Sequence, residues 1–437
     1  MNFQLGSNTN KAIFISPGEI QGKATAPASK SISIRAIVCG LLASDETNIS
    51  NASVCEDSMS ALNIIKSFGA EVNVISNVTK IKRLDNSSFT LEKTKSAHLD
   101  CGESALCLRL FSFIAGLFDT EIVLKAENTL LNRQTIGLEK IFSDLGAICK
   151  TQNNFPPFQI KGPIKSGKIS IDGSGGSQLL TGMLFALPLL YGDSEIIVEN
   201  LRSKPYIDLT LDILNGSGIE IYNKDYQYFF IKGKQNYKCR TIKIEGDWSG
   251  AAFLLAAAAI SGSISIEGLN INSHQPDKRI IDVLTEIGAN VDLTEYCVEV
   301  EKNELKAFCF DASDCPDLVP VLAVLACYCQ GISKIYGVDR LLGKESDRAA
   351  SLIEELSNLG AEIRSEGNYL IIKGKQLKGG IANSHNDHRI AMALAVAATG
   401  SLEGITLSDY QCVNKSYPRF FDVFDKIRPF NGDLKYI

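Results

Sequence analysis

The sequence predicts a mixed α/β (α+β) fold of two domains, each made of three copies of one repeated unit. Three observations support this prediction. The chain has 437 residues, which is enough for two or three domains. Because 45% of its residues are hydrophobic, it can fill large cores. A helix that ends in glycine and leads into a strand recurs along the chain at spacings of 70 to 77 residues.

The repeated unit contains an amphipathic helix. Its apolar residues recur at i, i+3, i+4 and i+7, which is the pattern of one helix face. A glycine follows at the position that favours a left-handed backbone, and an alternating strand comes next. The five glycines of this pattern are Gly69, Gly146, Gly218, Gly288 and Gly360. We interpret residues 419–437 as a degenerate sixth copy.

The rest of each unit is predicted to contain a second, more apolar helix and short strands. The segments AAFLLAAAAISG and PDLVPVLAVLACYCQG are examples of the helix, and ISIEGL is an example of a strand. Each unit is therefore expected to run strand, helix, strand, helix, strand, strand. Because repeats this long exceed the usual range of solenoids, we expect six of them to form two globular domains of three units.

Composition and charge argue against several classes of protein. The formal net charge of −6 disfavours a general nucleic-acid or membrane-surface protein. No run of 18 apolar residues is present, so no transmembrane helix is predicted. The start of the chain lacks the pattern of a secretory signal. The twelve cysteines and four histidines show no metal-ligand spacing, so we expect reduced thiols, a cytoplasmic location and no metal.

The stretch PASKSISIRA places polar residues at the mouth of an apolar helix. A helix N-terminus carries unpaired N–H groups and a partial positive charge, so Lys30 and Ser31 can form a cradle for phosphate or carboxylate there. Arg35 lies one turn after Ser31, on the same face. A capped helix with solvated charges is the alternative. Ser29 and Ser33 are interpreted as capping or packing positions.

Further segments place polar residues at helix starts or in dense charge clusters. They contribute Ser177, Gln178, Asp317, Lys344, Glu345, Arg348, His388, Arg389 and Lys415. Capping or exposed salt bridges would explain each segment alone. Together they predict one cleft of positive potential and a ligand with several anionic groups. No P-loop and no dinucleotide fingerprint is present, so ATP and NAD are not expected as ligands.

These motifs resemble those of the 5-enolpyruvylshikimate-3-phosphate synthases, a family of enolpyruvyl transferases. The resemblance covers nearly the whole chain and rests on SKSISIRA, SGGSQLLTG, SKPYIDLTLDIL, EGDWSGAAFLLAAAAI, KESDR, NDHRIAMALAV and KSYPRFF, in the family's order. It implies six β-α-β-α-β-β units in two domains that close on the substrates. The chain would cross between the domains near Lys23 and Gly246. Residues 1–23 and 246–437 would then form one domain, and residues 24–245 the other.

The resemblance implies transfer of the enolpyruvyl group of phosphoenolpyruvate to the 5-hydroxyl of shikimate 3-phosphate, with loss of phosphate from a tetrahedral intermediate. It implies Asp317 and Glu345 as the acid–base pair, with Lys30 as an alternative proton donor to C3. The shikimate 3-phosphate site would use Lys30, Ser31, Arg35, Ser177, Gln178, Ser203, Tyr206, Asp317 and Lys344. The phosphoenolpyruvate site would use Lys30, Ala105, Arg133, Gln178, Arg348, Arg389 and Lys415. No metal or cofactor is implied, and a monomer is expected.

Several positions depart from the family pattern. Glu103, Ala105 and Leu106 stand where asparagine, glycine and threonine are common. Gly176 replaces one serine of a Ser-Ser-Gln motif, and Arg340 replaces a frequent asparagine. The Ala105 methyl group would crowd the phosphoenolpyruvate pocket, and Glu103 would bring negative charge towards it. We expect Ala105 and Leu106 to reduce binding of the family's inhibitor glyphosate.

Two other functions stay open at this point. A sister enzyme with the same fold transfers enolpyruvate to UDP-N-acetylglucosamine, but it has Lys-Asn where Lys30-Ser31 stands here, and its cysteine-bearing loop has no counterpart in this sequence. A non-catalytic relative that binds an anionic ligand would fit Glu103 and Gly176. It fits poorly with the retention of the charged residues that the resemblance assigns to catalysis.

Overall fold

The computed structural model describes residues 12–83, 98–429 and 434–437. The buried apolar side chains of these residues form two separate cores. One core draws on positions 32 to 244, and we call the described residues between 30 and 244 the first lobe. The other core draws on positions 13 to 26 and 248 to 434, and we call residues 12–26 with the described residues between 247 and 437 the second lobe. The two ends of the described chain therefore lie in the same lobe.

The described residues form twelve α-helices, 24 strands and six short 3-10 helices. The helices are α1 (Lys30–Leu42), α2 (Glu56–Ser67), α3 (Ala105–Ala115), α4 (Leu138–Asp144), α5 (Gln178–Ala186), α6 (Pro205–Gly216), α7 (Trp248–Ser261), α8 (Ile280–Glu286), α9 (Val319–Tyr328), α10 (Arg348–Asn358), α11 (His388–Gly400) and α12 (Phe420–Lys426). The 3-10 helices are Asn128–Asn132, Leu187–Leu189, Pro276–Arg279, Pro316–Leu318, Val338–Arg340 and Tyr410–Lys415.

The strands are short and are spread evenly along the described chain. They are β1 (Ala12–Ile15), β2 (Ile20–Thr25), β3 (Thr47–Ser50), β4 (Ala70–Ile75), β5 (Val78–Arg83), β6 (His98–Asp100), β7 (Glu121–Lys125), β8 (Ile148–Gln152), β9 (Phe155–Lys161), β10 (Lys168–Asp172), β11 (Ser194–Glu199), β12 (Ile221–Lys224), β13 (Tyr228–Ile231), β14 (Thr241–Lys243), β15 (Gly262–Glu267), β16 (Asn290–Leu293), β17 (Cys297–Glu301), β18 (Cys309–Asp311), β19 (Ile332–Tyr336), β20 (Glu362–Glu366), β21 (Tyr369–Lys373), β22 (Gly380–Asn383), β23 (Ile405–Ser408) and β24 (Lys435–Tyr436).

Each lobe contains three four-stranded sheets of one topology. The strand orders in the first lobe are β14-β3-β5-β4, β6-β7-β9-β8 and β10-β11-β13-β12. Those in the second lobe are β2-β15-β17-β16, β18-β19-β21-β20 and β22-β23-β1-β24. In every sheet the first two strands are parallel and the remaining pairs are antiparallel. Six equivalent sheets confirm the repeat that the sequence predicted.

The sixth unit is completed by both ends of the described chain. Helix α12 and strand β24 come from residues 419–437, which the sequence analysis interpreted as a degenerate copy. The third strand of this sheet is β1, which pairs antiparallel with both β23 and β24. The glycine of this copy, Gly432, lies outside the described residues. The first strand of the chain thus joins the sheet formed by its last residues.

The glycines of the repeat close the helices as predicted. Gly69, Gly146, Gly218, Gly288 and Gly360 have φ angles of +87°, +71°, +78°, +95° and +97°. These angles lie in the left-handed region, where a side chain is costly and glycine is favoured. Each glycine ends an amphipathic helix (α2, α4, α6, α8 or α10) and directs the chain into the next strand.

The other six unit helices are the apolar ones, α1, α3, α5, α7, α9 and α11. Nearly every residue of these helices is buried. Helices α7 and α9 pack against α11 in the second lobe, while α3 packs against α5 in the first. A helix that is apolar on all sides must be buried on all sides, which explains why these helices form the centres of the lobes.

The chain crosses between the lobes twice, and the two crossings lie side by side. Ala28 and Gly246 form an antiparallel bridge, and the Asp247 backbone N–H donates to the Pro27 carbonyl at 2.7 Å. Strand β2 belongs to a second-lobe sheet as far as Thr25. The exact division of the chain into residues 1–23 plus 246–437 and residues 24–245 stays a prediction, which the two separate cores support.

Two features of composition can be located in the fold. None of the helices in the described part of the chain combines the length and the apolar character needed to span a bilayer. All twelve cysteines are free thiols, and most of them are buried in the cores. Burial raises the pKa of thiols such as Cys39 and Cys107 above the ordinary value, so these cysteines act as small apolar side chains.

Candidate active site

The polar starts of several apolar helices, and the start of the amphipathic helix α10, meet in the cleft between the two lobes. The first lobe contributes the start of α1, the loop before α5 and the residue after the 3-10 helix Asn128–Asn132. The second lobe contributes the 3-10 helix Pro316–Leu318 before α9, and the starts of α10 and α11. First-turn N–H groups and their partial positive charge are therefore concentrated in the cleft.

Lys30 is the first residue of α1 and contacts both lobes. Its Nζ lies 2.9 Å from Oδ2 of Asp57 in α2, and its backbone N–H donates to Asp247 of the second lobe at 3.3 Å. Burial disfavours the charged ammonium group, but the nearby carboxylates, first of all that of Asp57, outweigh burial and raise the pKa of Lys30 above its ordinary value. Lys30 is therefore a cation in the free site.

Arg35 fastens α1 to α6 from within the first lobe. Its Nε donates to Oγ1 of Thr210 at 2.9 Å, and its two terminal nitrogens donate to the carbonyl groups of Ser31 and Tyr206 at 2.9 and 3.3 Å. The residue is 1% exposed. Burial lowers the pKa of Arg35 to about 10, so the guanidinium stays charged at neutral pH. Arg35 brings Ser31 and Tyr206, two other predicted site residues, next to each other.

Gln178 is oriented by Arg109, a cation that the sequence also offers for the cleft but that the resemblance assigns to neither substrate. Nη1 of Arg109 donates to Oε1 of Gln178 at 2.6 Å, and its Nε donates to Oγ1 of Thr135 at 3.3 Å. Gln178 is the first residue of α5, directly after the buried Ser177. Ala105 begins α3, the helix that carries Arg109, and is also buried. Its predicted effect on glyphosate stays a prediction.

Asp317 is surrounded by three cations. Its Oδ1 lies 2.6 Å from Nη1 of Arg348 and 3.6 Å from Nζ of Lys344, and its Oδ2 lies 3.0 Å from Nη2 of Arg389. Burial favours the neutral acid, but the cations, first of all Arg389, hold the pKa of Asp317 well below its ordinary value. Asp317 is therefore ionised in the free site and can accept a proton.

Lys344 differs from the other lysines of the cleft. Burial lowers its pKa to about 8, with further lowering by the Arg348 and Arg133 guanidinium groups, and the opposing attraction of Asp317 does not restore the ordinary value. A lysine in this range changes its charge close to physiological pH. It can therefore deliver or take up a proton beside Asp317.

Glu345 connects the two lobes. Its Oε1 lies 3.4 Å from Nη1 of Arg133 in the first lobe, and its Oε2 lies 2.8 Å from Nη2 of Arg348. Nζ of Lys415 lies 3.8 Å from Oε1. Burial favours the neutral acid, but these cations, first of all Arg133, hold the pKa of Glu345 well below its ordinary value. The free site therefore contains an ionised Glu345.

Lys415 reaches from the second lobe to the acidic residues of the first. Its Nζ is 2.7 Å from the carbonyl oxygen of Glu103 and 3.4 Å from the Oε2 atom of that residue, and it is 3.6 Å from Oδ1 of Asp57. Glu103 also accepts a hydrogen bond from Thr129 at 3.1 Å. The negative charge that the sequence analysis expected near the anion site is therefore paired with a cation predicted to bind phosphoenolpyruvate.

Ser203 and Tyr206 flank the start of α6 at another corner of the cleft. Ser203 has a left-handed φ of +59°, and its backbone N–H donates to Oδ1 of Asp314 in the second lobe at 2.8 Å. Nη2 of Arg340 lies 3.2 Å from the Ser203 hydroxyl. Both lobes therefore contribute to this corner as well.

Two acidic residues of the site were missed at the sequence level. Asp57 holds Lys30, and Asp387 accepts from Nε of Arg348 at 2.7 Å while it caps α11. Both look like ordinary acidic residues at a helix start, so no sequence signal separated them from caps. His388 is buried, and neither ring nitrogen has a hydrogen-bond partner within the described ranges. Burial holds the pKa of His388 well below its ordinary value, so the ring is neutral.

Acidic and histidine side chains approach each other closely enough to suggest a cation site at two places in the described residues. One group is Glu354, Glu355 and His385, and the other lies in the cleft. Glu345, Asp387 and His388 offer ligand atoms within 4.8 Å of one another. However, Arg348 already contacts both carboxylates, at 2.8 Å and 2.7 Å. A metal ion there would have to compete with a buried guanidinium. The expectation of no metal stays a prediction.

The cleft thus combines two ionised carboxylates with cations from both lobes. Comparisons with known proteins show to which family a chain with this cleft belongs. The model of the family described as EPSP synthase (3-phosphoshikimate 1-carboxyvinyltransferase) matches residues 15–424. The chain is 38% identical over 424 residues to the 3-phosphoshikimate 1-carboxyvinyltransferase of Clostridium novyi (strain NT), covering 95% of this chain and 97% of that protein. Its identity to the enzyme of the same name from Clostridium acetobutylicum is 38% over 428 residues, with 96% and 97% covered.

Solved structures extend the comparison to the fold. The EPSP synthase of Acinetobacter baumannii superimposes with a TM-score of 0.79 at 23% identity, covering 98% of this chain and 99% of that one. The enolpyruvyl transferase NikO from Streptomyces tendae gives a TM-score of 0.76 at 16% identity, with 98% and 99% covered. At these identities the likeness concerns the fold, and it confirms the predicted two-domain enolpyruvyl transferase architecture. Together with the sequence matches, it leads to one conclusion: this chain belongs to the EPSP synthase family.

Proposed function

We propose that the protein transfers the enolpyruvyl group of phosphoenolpyruvate to the 5-hydroxyl of shikimate 3-phosphate and releases phosphate. The observation that carries this proposal is the pair of ionised carboxylates, Asp317 and Glu345, each held between cations within one cleft. Two substrates that each carry a phosphate and a carboxylate need such a concentration of cations. The full-length similarity to 3-phosphoshikimate 1-carboxyvinyltransferases supports the same reaction.

The shikimate 3-phosphate site lies mainly in the first lobe in this proposal. The residues assigned to it are Lys30, Ser31, Arg35, Ser177, Gln178, Ser203, Tyr206, Asp317 and Lys344. The contacts of Arg35 with the Ser31 and Tyr206 backbone support this assignment, because they fix α1 against α6. Asp317 and Lys344 reach the acceptor hydroxyl from the second lobe.

The phosphoenolpyruvate site lies where the lobes meet. The residues assigned to it are Lys30, Ala105, Arg133, Gln178, Arg348, Arg389 and Lys415. In the free site Arg133 and Lys415 contact Glu345, Glu103 and Asp57. The phosphate and carboxylate of the substrate would take over these cations, in charge-assisted hydrogen bonds of the kind that arginine forms with both groups.

The chemistry requires one base and one acid. Asp317 is ionised and lies 3.6 Å from Lys344. It accepts the proton of the 5-hydroxyl of shikimate 3-phosphate while the oxygen of that hydroxyl bonds to C2 of phosphoenolpyruvate. Glu345 or Lys30 protonates C3, which gives the tetrahedral intermediate. Loss of a C3 proton and of phosphate then restores the double bond in the enolpyruvyl ether. Acid–base assistance of this type contributes about 10²–10⁴-fold.

The two candidates for the C3 proton start from different states. Lys30 is already protonated, because its pKa is raised. Glu345 is ionised in the free site, so it must gain a proton when the substrate anion neutralises Arg133 and Lys415. Holding both substrates in contact contributes about 7–11 kcal/mol to lowering the barrier, independently of which group donates the proton.

We further propose a cytoplasmic monomer that needs neither metal nor cofactor.

Phosphate release from purified protein tests the proposal. We expect release with shikimate 3-phosphate and phosphoenolpyruvate together, and none when either substrate is omitted. Titration that shows binding of shikimate 3-phosphate without any phosphate release would favour the non-catalytic relative. Release that depends on UDP-N-acetylglucosamine would favour the sister reaction. Either result would contradict the proposed activity.

A further inference from the structure

We infer that Arg340 binds the 3-phosphate group of shikimate 3-phosphate, from the second lobe, in the place left open by Gly176. The inference rests on the proposed function and adds to it a residue that determines recognition of the phosphate. It starts from two departures from the family pattern, an arginine at 340 and a glycine at 176, which are far apart in sequence but adjacent in the structure.

Arg340 ends the 3-10 helix Val338–Arg340 and extends across the cleft into the first lobe. Its Nη1 donates to the carbonyl oxygen of Ser174 at 3.1 Å, and its Nη2 donates to the Ser203 hydroxyl at 3.2 Å. Its Nε is buried and has no hydrogen-bond partner among the residues that the structure describes. The bonds to Ser174 and Ser203 use two of the five N–H donors of the guanidinium, so its terminal nitrogens keep donors that a ligand oxygen can accept.

Gly176 leaves room beside this guanidinium. A Cβ atom at Gly176 would meet only Nη2 of Arg340, at 3.5 Å, within 4 Å. The φ angle of Gly176 is +117°, a backbone conformation that L-residues rarely adopt. The hydroxyl that a serine would supply at this position is thus absent, and a guanidinium points at the same space. A planar guanidinium with several N–H donors matches the geometry of a phosphate.

The neighbouring charges leave the positive charge of Arg340 available. Arg202 lies close by and pairs with Asp339, so this acidic residue does not occupy Arg340. Asp314 accepts from the backbone N–H groups of Ser203 and Lys204, at 2.8 and 3.3 Å. A phosphate at this corner would therefore use the Ser203 hydroxyl and Arg340, while those two backbone groups stay with Asp314.

Arg340 also bridges the lobes, so a purely structural role in holding them together must be distinguished from phosphate binding. Arg202 provides the control, because it too crosses between the lobes, through its ion pair with Asp339, and Asp339 is not assigned to either substrate. A residue that only holds the lobes together would affect all ligands of the cleft. A phosphate-binding residue would affect only a ligand that carries the phosphate.

The test measures dissociation constants for shikimate 3-phosphate and for unphosphorylated shikimate by isothermal titration. We compare the wild type with Arg340→Gln, Arg340→Lys and Arg202→Gln, after checking that each variant has a wild-type melting temperature. We expect Arg340→Gln to weaken shikimate 3-phosphate binding about 10- to 100-fold, with shikimate binding changed less than twofold. Arg340→Lys should recover part of the loss, since it restores the charge but not the bidentate geometry. Arg202→Gln should resemble the wild type.

Two results would overturn the inference. One is Arg340→Gln binding shikimate 3-phosphate as tightly as the wild type. The other is an equal loss for shikimate and shikimate 3-phosphate, which would make Arg340 a lobe contact only. A wild type that binds neither compound would instead contradict the proposed function, so the two failures are distinguishable.

Discussion

Single charged residues in the cleft have partners that are themselves charged, and most of these partners lie far away in sequence. Asp317, Glu345, Asp57 and Glu103 neutralise cations that are assigned to substrate phosphates and carboxylates. Buried ion pairs carry a desolvation cost. A substrate anion can therefore replace a protein carboxylate beside one of these cations with little change in the total charge of the site.

Replacement of Lys30 should affect both substrates. Lys30→Ala removes a cation assigned to both sites, so we expect kcat/KM for each substrate to fall by at least about 100-fold. Ser33→Ala is the matched control in the same helix. The Ser33 hydroxyl accepts from the backbone N–H of Ser53 at 2.9 Å, so its loss should cost about 1–3 kcal/mol of stability and leave the kinetics of the folded enzyme unchanged.

Steady-state kinetics and denaturant unfolding of the two variants check this prediction. An effect of Lys30→Ala on only one substrate would contradict the assignment of Lys30 to both sites. A kinetic loss in Ser33→Ala would show that the packing interpretation of Ser33 is wrong.

The pH dependence should report Lys344. Its pKa of about 8 lies below the ordinary lysine value, so the ammonium is charged below pH 8 and loses its charge as pH rises through that value. Since kcat/KM reports groups of the free enzyme, kcat/KM for shikimate 3-phosphate should fall above pH 8. In Lys344→Arg the fall should disappear between pH 7 and 9, because guanidinium keeps its proton. If the wild type and Lys344→Arg show the same fall in kcat/KM near pH 8, the fall belongs to a group other than Lys344.

At the level of helices and strands, the pattern of residues predicted most of what the structure contains. The five glycine caps and the apolar helices α7 and α9 were predictable because capping and burial leave local signals. The proposed acid–base pair, Asp317 and Glu345, was predicted only through the resemblance of motifs to a known family. Asp57 and Asp387 were not predictable, because an acidic residue at a helix start has a sufficient local explanation and its partner lies on another element.

The left-handed caps can be tested by adding one methyl group. An added Cβ at Gly69 would meet no atom within 4 Å, so the cost of Gly69→Ala comes from its φ of +87° alone. We expect a loss of about 1–2 kcal/mol in the free energy of unfolding. Gly216→Ala, at the end of α6, also has open space but no left-handed angle, and it should leave stability unchanged or raise it by up to about 1 kcal/mol. Equal effects of the two changes would contradict the role of the cap.

For the molecule as a whole, the two lobes meet through charged side chains rather than through a shared apolar core. Lys415 is the clearest of these contacts, because it inserts between Glu103 and Asp57 of the opposite lobe. If Lys415 binds phosphoenolpyruvate as proposed, the carboxylate of Glu103 competes with this substrate for it. Substrate binding would then be coupled to the arrangement of the lobes.

Glu103→Gln should ease this competition. The change removes a negative charge beside a proposed anion site, so we expect KM for phosphoenolpyruvate to fall several-fold while KM for shikimate 3-phosphate changes little. Glu46→Gln removes the same charge from an exposed pair with Lys80 in the same lobe and should have no effect. Steady-state kinetics at constant ionic strength would reveal the difference. A higher KM for phosphoenolpyruvate in Glu103→Gln would mean that Glu103 supports the site by positioning Lys415.

We propose that one cleft between two lobes joins two anionic substrates through an enolpyruvyl ether. NMR of purified protein mixed with shikimate 3-phosphate and ¹³C-labelled phosphoenolpyruvate, following phosphorus and carbon signals together, tests this directly. We expect one enolpyruvyl ether of shikimate 3-phosphate to form for each phosphate released. Phosphate without the ether, or no change in either substrate, would contradict it.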